Sequence, residues 1–280
     1  MGDPGPLVSC AWLQENWIDK RDPNIVLLDG TFHQPMWQRD ADAEYQECHI
    51  DGALGFDFRV IRDTSHQMPL MLPPAAQFEK QVGELGISND THVVVYDNNA
   101  KFGFYSVGRD WWMFKVFGHD KVSVLDGGLP KWVAEGRPTV SSEQPQITPA
   151  VFKATYRPHL VREMGQIMDN YHIKKEQVID SRPKGRFDGT APEPNKSLHS
   201  GHILGTTNVP FTELIHPDSK TLKSKEAIKE VFEVAGLDLS KPTVLTCGGA
   251  VVAPFVAFAA SLIGAEIPVY DVRLSVPLSL

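Results

Sequence analysis

Two residues 150 positions apart, Asp97 and Cys247, end matching segments of this chain and differ in the chemistry open to them. Glu84–Asp97 (ELGISNDTHVVVYD) overlays Val234–Cys247 (VAGLDLSKPTVLTC) without a gap. Each segment reads as the end of a helix closed by glycine (Gly86, Gly236), a short loop, then a buried strand. A cysteine at the C-terminal tip of a parallel strand, just before a helix, stands where such sheets place reacting atoms. Cys247 opens the loop Gly248, Gly249, Ala250, Val251, Val252. Its two glycines let the backbone curl so that successive N–H groups face the sulfur, and the following helix N-terminus adds positive potential. Together these favour a thiolate, the form that acts as nucleophile. The competing expectation is a buried, inert cysteine, the usual fate of a lone one. Aspartate yields no nucleophile by this logic, so the first copy reads as scaffold and the second as working site.

The elements that must position Cys247 also repeat. Ile25–Asp29 matches Gln177–Asp180, His49–Gly52 matches His202–Gly205, and Val122–Asp126 matches Ile267–Asp271. The expected order is strand, helix, strand, helix, strand, helix, strand, twice over. That pattern implies an α/β fold of tandem domains, each a central parallel β-sheet flanked by helices. A repeat of this length suits paired domains rather than a solenoid. The boundaries expected are 1–137 for the first domain, 138–159 for a proline-rich linker and 160–280 for the second. Phe78, Val82 and Leu85 give one amphipathic helix, and Ser224 caps its counterpart. Ala253–Ile263 is apolar all round and should be buried on nearly every side, with Pro254 in its first turn. Trp111 and Trp112 are expected in the core.

At 280 residues and 42% hydrophobic content, the chain can bury two ordinary cores. Its net charge of −8 argues against a nucleic-acid surface, and no apolar run reaches membrane-span length. Cys10, Cys48 and Cys247 form neither a metal spacing nor a disulfide framework, and the ten histidines show no zinc pattern. No metal or other cofactor is expected. The opening MGDPGPLVSC has neither a signal-peptide core nor a transit-peptide pattern, so a reducing, cytoplasmic location is the expectation.

Several long stretches resemble the two-domain sulfurtransferases of the rhodanese superfamily. They are LLDGTFHQP, YQECHIDGALGFDF, HVVVYD, WWMFKVFGHDKVSVLDGGLPKWVAEGRP, GRFDGTAPEP, SGHILGTTNVPFTEL and KPTVLTCGGAVVA, in order from about Leu27 to Asp271. That family comprises thiosulfate and 3-mercaptopyruvate sulfurtransferases. The resemblance implies a non-catalytic first rhodanese-like domain and a persulfide on Cys247. It also implies a small-molecule sulfur donor and an acceptor that is cyanide or a thiol, such as thioredoxin or a small thiol. Members occur in cytosol and mitochondria, which makes the mitochondrion the alternative location.

Thiosulfate enzymes carry cationic side chains just after the cysteine, whereas Gly248, Gly249 and Ala250 are uncharged. The loop is closer to the mercaptopyruvate branch. Arg186 in GRFDGT matches a substrate-binding arginine, although a solvated surface charge is the competing expectation. Asn195 stands where a second arginine usually follows Pro-Glu-Pro, with Lys196 next, and both are candidate donor contacts. Arg182 is expected to order the loop through backbone contacts. Asp63 sits where the family's proton-relay acid belongs.

There are departures from the pattern. Gly249 and Val252 replace hydroxyl residues, Leu70 replaces the relay histidine, and Val272–Pro277 replaces a tryptophan-containing ending. They favour a slow enzyme, and keep open a weak or inactive homologue acting as a binding or persulfide-carrier module. A cysteine phosphatase is rejected, because Ala253 stands where phosphate would need arginine.

Overall fold

The computed structural model describes residues 4–66, 70–194 and 200–271. Its first half runs β1 (Leu7–Val8), α1 (Cys10–Leu13), β2 (Ile25–Asp29), α2 (Ala41–Glu47), β3 (Leu54–Gly55), α3 (Ala75–Glu84), β4 (His92–Tyr96), α4 (Val107–Val116), β5 (Val122–Leu125) and α5 (Gly128–Ala134). The second runs β6 (Val161–Arg162), α6 (Met164–Ile173), β7 (Gln177–Asp180), α7 (Lys184–Phe187), β8 (Thr206–Asn208), α8 (Lys225–Val234), β9 (Thr243–Thr246), α9 (Ala253–Leu262) and β10 (Val269–Tyr270). The sheets follow the orders β1-β5-β4-β2-β3 and β6-β10-β9-β7-β8, which are one permutation used twice. All pairings within them are parallel. The α/β architecture expected from the repeats is therefore present in both halves. The leading strands β1 and β6, two residues each, are too short to carry a sequence period.

Local chemistry explains the repeated elements. Strands β4 and β9 are short, mostly β-branched runs buried on both faces, as central parallel strands require. The helices before them end at Gly86 and Gly236, whose φ values of +74° and +76° suit glycine as a helix stop. The Ser224 hydroxyl accepts from Ala227 N and so caps α8. Residues 138–157 contain no helix or strand beyond a single bridge between Val140 and His49. This stretch is fastened along the first half, with Ala150 N, Thr155 N and Arg157 N donating to the carbonyls of Gly83, Phe117 and Val116.

The halves meet where α4 crosses α9. A Cβ on Gly108 would lie 2.4 Å from Phe255 Cα, so only glycine permits this approach. Phe104 stacks on Phe255 at 5.1 Å, and Trp111 meets Phe258 edge-on at 5.3 Å. One hydrophobic cluster runs through both halves, and residues 253–260 are wholly buried in it, as an all-round apolar helix should be. Trp111 and Trp112 lie in the same core. Apolar burial on this scale is a strong non-directional force holding the two halves together.

Candidate active site

In each sheet the chain leaves the central strand one way and returns on its other side, which makes a topological switch point. Ligands bind outside the carboxyl ends of strands at such points. In the second half the switch lies between β7 and β9, paired from Gln177↔Thr243 to Asp180↔Thr246. Cys247 follows β9 directly, while Asp180, Ser181 and Arg182 occupy the tip of β7. Ser181 N donates to the Thr246 carbonyl at 2.9 Å, tying the two tips together. Cys247 is only 2% exposed.

Two arginines and two carboxylates form the wall beside it. Arg182 pairs with Asp180 at 2.5 Å and with Glu193 at 2.9 Å, all three being buried. It also donates to the Gly201 carbonyl at 2.6 Å. That backbone contact is of the expected kind, and ion pairs with carboxylates accompany it, because a buried guanidinium requires a matching charge. Arg186 turns Nε and Nη2 toward Glu193, with contacts of 3.2, 3.2 and 2.5 Å. Its Nη1 has no hydrogen-bond partner among the described residues, and its side chain is 21% exposed. A Cβ on Gly248 would lie 2.5 Å from Arg186 Nη2, so this guanidinium rests directly on the residue after the cysteine. Asn195 and Lys196 lie outside the described residues, as does the tail from Val272.

The loop itself departs from expectation. Neither Gly248 nor Gly249 is left-handed; that conformation falls on Ala250, with φ of +48°. Gly248 instead leaves room for the end of the Arg186 side chain, which an added Cβ would push back. Among the described residues, no N–H of the loop donates to Cys247 Sγ. The cradle expected there occurs in the first half. Asp97 Oδ2 accepts from Tyr105 N at 2.8 Å, Ser106 N at 2.9 Å and Val107 N at 3.3 Å. Burial raises the Asp97 carboxyl above its ordinary range, and these donors oppose the rise. Val251 and Val252 are buried, and Val252 leads into α9 by accepting from Val256 N.

The first half supplies further groups that sequence reasoning missed. Arg109 of α4 is fully buried and donates to the Ala250 carbonyl at 2.9 Å and to Asp271 Oδ1 at 3.2 Å. The Tyr105 hydroxyl is pushed up to about 12 by burial, with Cys247 and Arg186 close enough to act on it electrostatically. The Ser181 and Thr246 hydroxyls are buried at the strand tips without hydrogen-bond partners among the described residues. Only their positions beside Arg182 and Cys247 in the chain signalled them.

Asp63 accepts from Ser65 N at 2.8 Å and Ser65 Oγ at 2.7 Å, capping its own turn. Those bonds hold its carboxyl below the usual range, the wrong direction for a proton-donating acid. No contact joins it to Cys247 among the described residues. Leu70, which replaces the family's relay histidine, takes φ of +68° and gives its carbonyl to Arg109 Nη2. Burial pushes the Cys10 thiol up to about 11, leaving it an inert core group. Among the described residues, no cluster of His, Cys, Asp and Glu is arranged to hold a metal ion. No helix there is long and apolar enough to cross a membrane.

Comparison with known proteins extends the likeness over almost the whole chain. The Rhodanese-like domain profile matches residues 13–135. Rat thiosulfate sulfurtransferase is 46% identical over 268 residues, covering 95% of this chain and 89% of the relative. Human 3-mercaptopyruvate sulfurtransferase is 42% identical over 267 residues, with the same coverage. Among solved structures, SseA of Escherichia coli, a 3-mercaptopyruvate sulfotransferase, superposes with a TM-score of 0.84 at 33% identity, covering 96% of this chain and 99% of that one. Tum1 of Saccharomyces cerevisiae gives 0.85 at 28% identity, covering 95% and 92%. With the repeated sheet, the cysteine at its switch point and relatives matched nearly end to end, this chain belongs to the rhodanese family of two-domain sulfurtransferases.

Proposed function

We propose that this sulfurtransferase takes the thiol sulfur of 3-mercaptopyruvate onto Cys247 as a persulfide's sulfane sulfur and passes it to a thiol or to cyanide, with thiosulfate as a poorer donor. The Cys247 thiolate attacks the donor sulfur, and a cysteine persulfide forms as the donor C–S bond breaks. The bonding electrons leave on the pyruvate enolate, which takes a proton to become pyruvate. An acceptor thiolate or cyanide then attacks the outer sulfur and releases the Cys247 thiolate.

The observation that carries this reading is the Arg186 guanidinium lying against Gly248, the residue after Cys247. An arginine suits the donor carboxylate, and the part of this guanidinium not committed to Glu193 remains available beside the residue that follows the reacting cysteine. Charge supports the choice of donor. Arg182 and Arg186 are matched by Asp180 and Glu193, so their charges sum to zero: 2 − 2 = 0. Among the described residues a thiosulfate dianion would meet no surplus positive charge in this wall, whereas a monocarboxylate needs only one arginine edge. Overall identity leans toward thiosulfate enzymes, at 46% against 42%. That figure averages over the whole chain, while the uncharged loop and balanced wall act at the sulfur.

Intact mass after exposure to 3-mercaptopyruvate tests the proposal. Wild type should gain the mass of one sulfur atom, removable by excess thiol. Cys247→Ser should gain none, and Cys10→Ser and Cys48→Ser should behave as wild type. Persulfide persisting in Cys247→Ser would refute the assignment. Donor turnover in a cyanide assay separates an enzyme from a mere persulfide carrier.

A further inference from the structure

Arg109 has no exposed surface and reaches from α4 of the first half to the reactive loop of the second. Three carbonyl or carboxylate groups surround its guanidinium: the Ala250 carbonyl, Asp271 Oδ1 and the Leu70 carbonyl. The rings of Phe58 and Trp112 lie 5.6 Å from it. Asp271 is itself held, since its Oδ2 accepts from Leu72 N at 2.8 Å. The guanidinium is thus fixed on several sides, and one of its bonds reaches the only left-handed residue in the loop from Cys247 to Val252. That residue is alanine, for which the left-handed region is unfavourable, and such strain persists only where surroundings enforce it.

Resting on the reading of Cys247 as nucleophile, we propose that Arg109 is a positioning residue for sulfur transfer. By capturing the Ala250 carbonyl it holds the loop in its left-handed form and so sets Cys247 before Arg186. The first half then contributes to catalysis through loop geometry, without touching the donor. Joining the halves does not require this bond, because the α4–α9 crossing and the shared apolar cluster already do so.

Full-length wild type, Arg109→Lys, Ala250→Gly and the double variant are compared with 3-mercaptopyruvate as donor and cyanide as acceptor. Lysine keeps the charge but presents one nitrogen where the acceptors require a fork. Arg109→Lys should lower kcat about tenfold while donor KM stays within about twofold, since release of the left-handed residue repopulates the loop. Iodoacetamide alkylation of Cys247 should change in parallel with kcat, with Cys10 remaining protected as an internal control for folding. Glycine adopts the left-handed region without steric cost, so the double variant should recover kcat to within about threefold of wild type.

Two results overturn the proposal: Arg109→Lys indistinguishable from wild type in kcat and Cys247 alkylation, or a loss that Ala250→Gly fails to restore. The second would make Arg109 a strut between the halves. If Arg109→Lys does not fold, Asp271→Asn loosens the same anchor. Restoration of its activity by Ala250→Gly is then expected, and absence of restoration refutes the proposal. A wild-type protein that forms no Cys247 persulfide would instead refute the underlying assignment, before any variant is made.

Discussion

Gly248→Ala tests the contact between the reactive loop and Arg186 with one methyl group. The added Cβ would sit 2.5 Å from Arg186 Nη2 and 3.8 Å from Arg182 Cδ. Non-bonded atoms settle at about 3.5–4.0 Å, so the guanidinium must retreat by about 1 Å. Arg182 is already at ordinary distance and need not move. The retreat strains the Arg186–Glu193 pairing and moves the guanidinium away from the residue after the cysteine. A hydrogen bond to a charged group contributes about 1.5–3 kcal/mol, which corresponds to about ten- to a hundredfold in affinity. That loss should fall mainly on KM for 3-mercaptopyruvate, with a smaller change in kcat. Steady-state kinetics provide the assay. Gly165→Ala is the control, since nothing lies within 4 Å of its added Cβ. An unchanged KM in folded Gly248→Ala would refute both the contact and the donor role assigned to Arg186.

The crossing of α4 and α9 is tested by Gly108→Ala, whose Cβ would meet Phe255 Cα, N and Cβ at 2.4, 2.5 and 2.6 Å. Backbone cannot yield as a side chain does, so a loss of about 3 kcal/mol, at the upper end for overpacking, is expected from urea denaturation. An unchanged midpoint would show that the helices do not approach so closely. His119 sets a pH dependence: burial pushes its imidazole down to about 4, from an ordinary value of 6.5. Between those values the unfolded chain binds the proton and the folded one does not. Stability is therefore full above pH 6.5 and is lost as pH falls toward 4. The window contributes about 3 kcal/mol, and His119→Phe, retaining the ring contacts with Phe114 and Phe152, should remove that slope in denaturation series. An identical slope in the variant would refute the assignment.

Strand β9, its glycine-stopped helix and the Cys247 tip were legible in the sequence because they repeat, and the duplicate shares their register. The burial of α9 was legible because an apolar run leaves no polar face to expose. Arg109 was not. It lies among aromatic residues in a buried helix, and its partners at 250 and 271 are distant in sequence and belong to the other half. Glu193 was hidden within Pro-Glu-Pro, where nothing local says that one carboxylate serves two arginines. The curl of the loop was assigned to glycines because they turn most easily, yet tertiary contacts imposed it on Ala250. Asp63 illustrates the opposite limit: a matching position does not fix a role when Ser65, two residues away, takes its carboxylate.

The filled cradle around Asp97 bears on how such a duplicated chain evolves. Its carboxylate satisfies the amides of Tyr105, Ser106 and Val107 and is 1% exposed. A cysteine there would bring one weakly accepting sulfur to several buried donors and leave them short of partners. Nearby, Gly103 passes so close to Lys220 that its Cβ would lie 1.9 Å from that residue's carbonyl oxygen. Placing a cysteine at position 97 would therefore cost stability without opening a route for substrate. The carboxylate works here as a packing keystone: turning this strand tip into a second thiol centre would require rebuilding the loop around it as well as changing one codon.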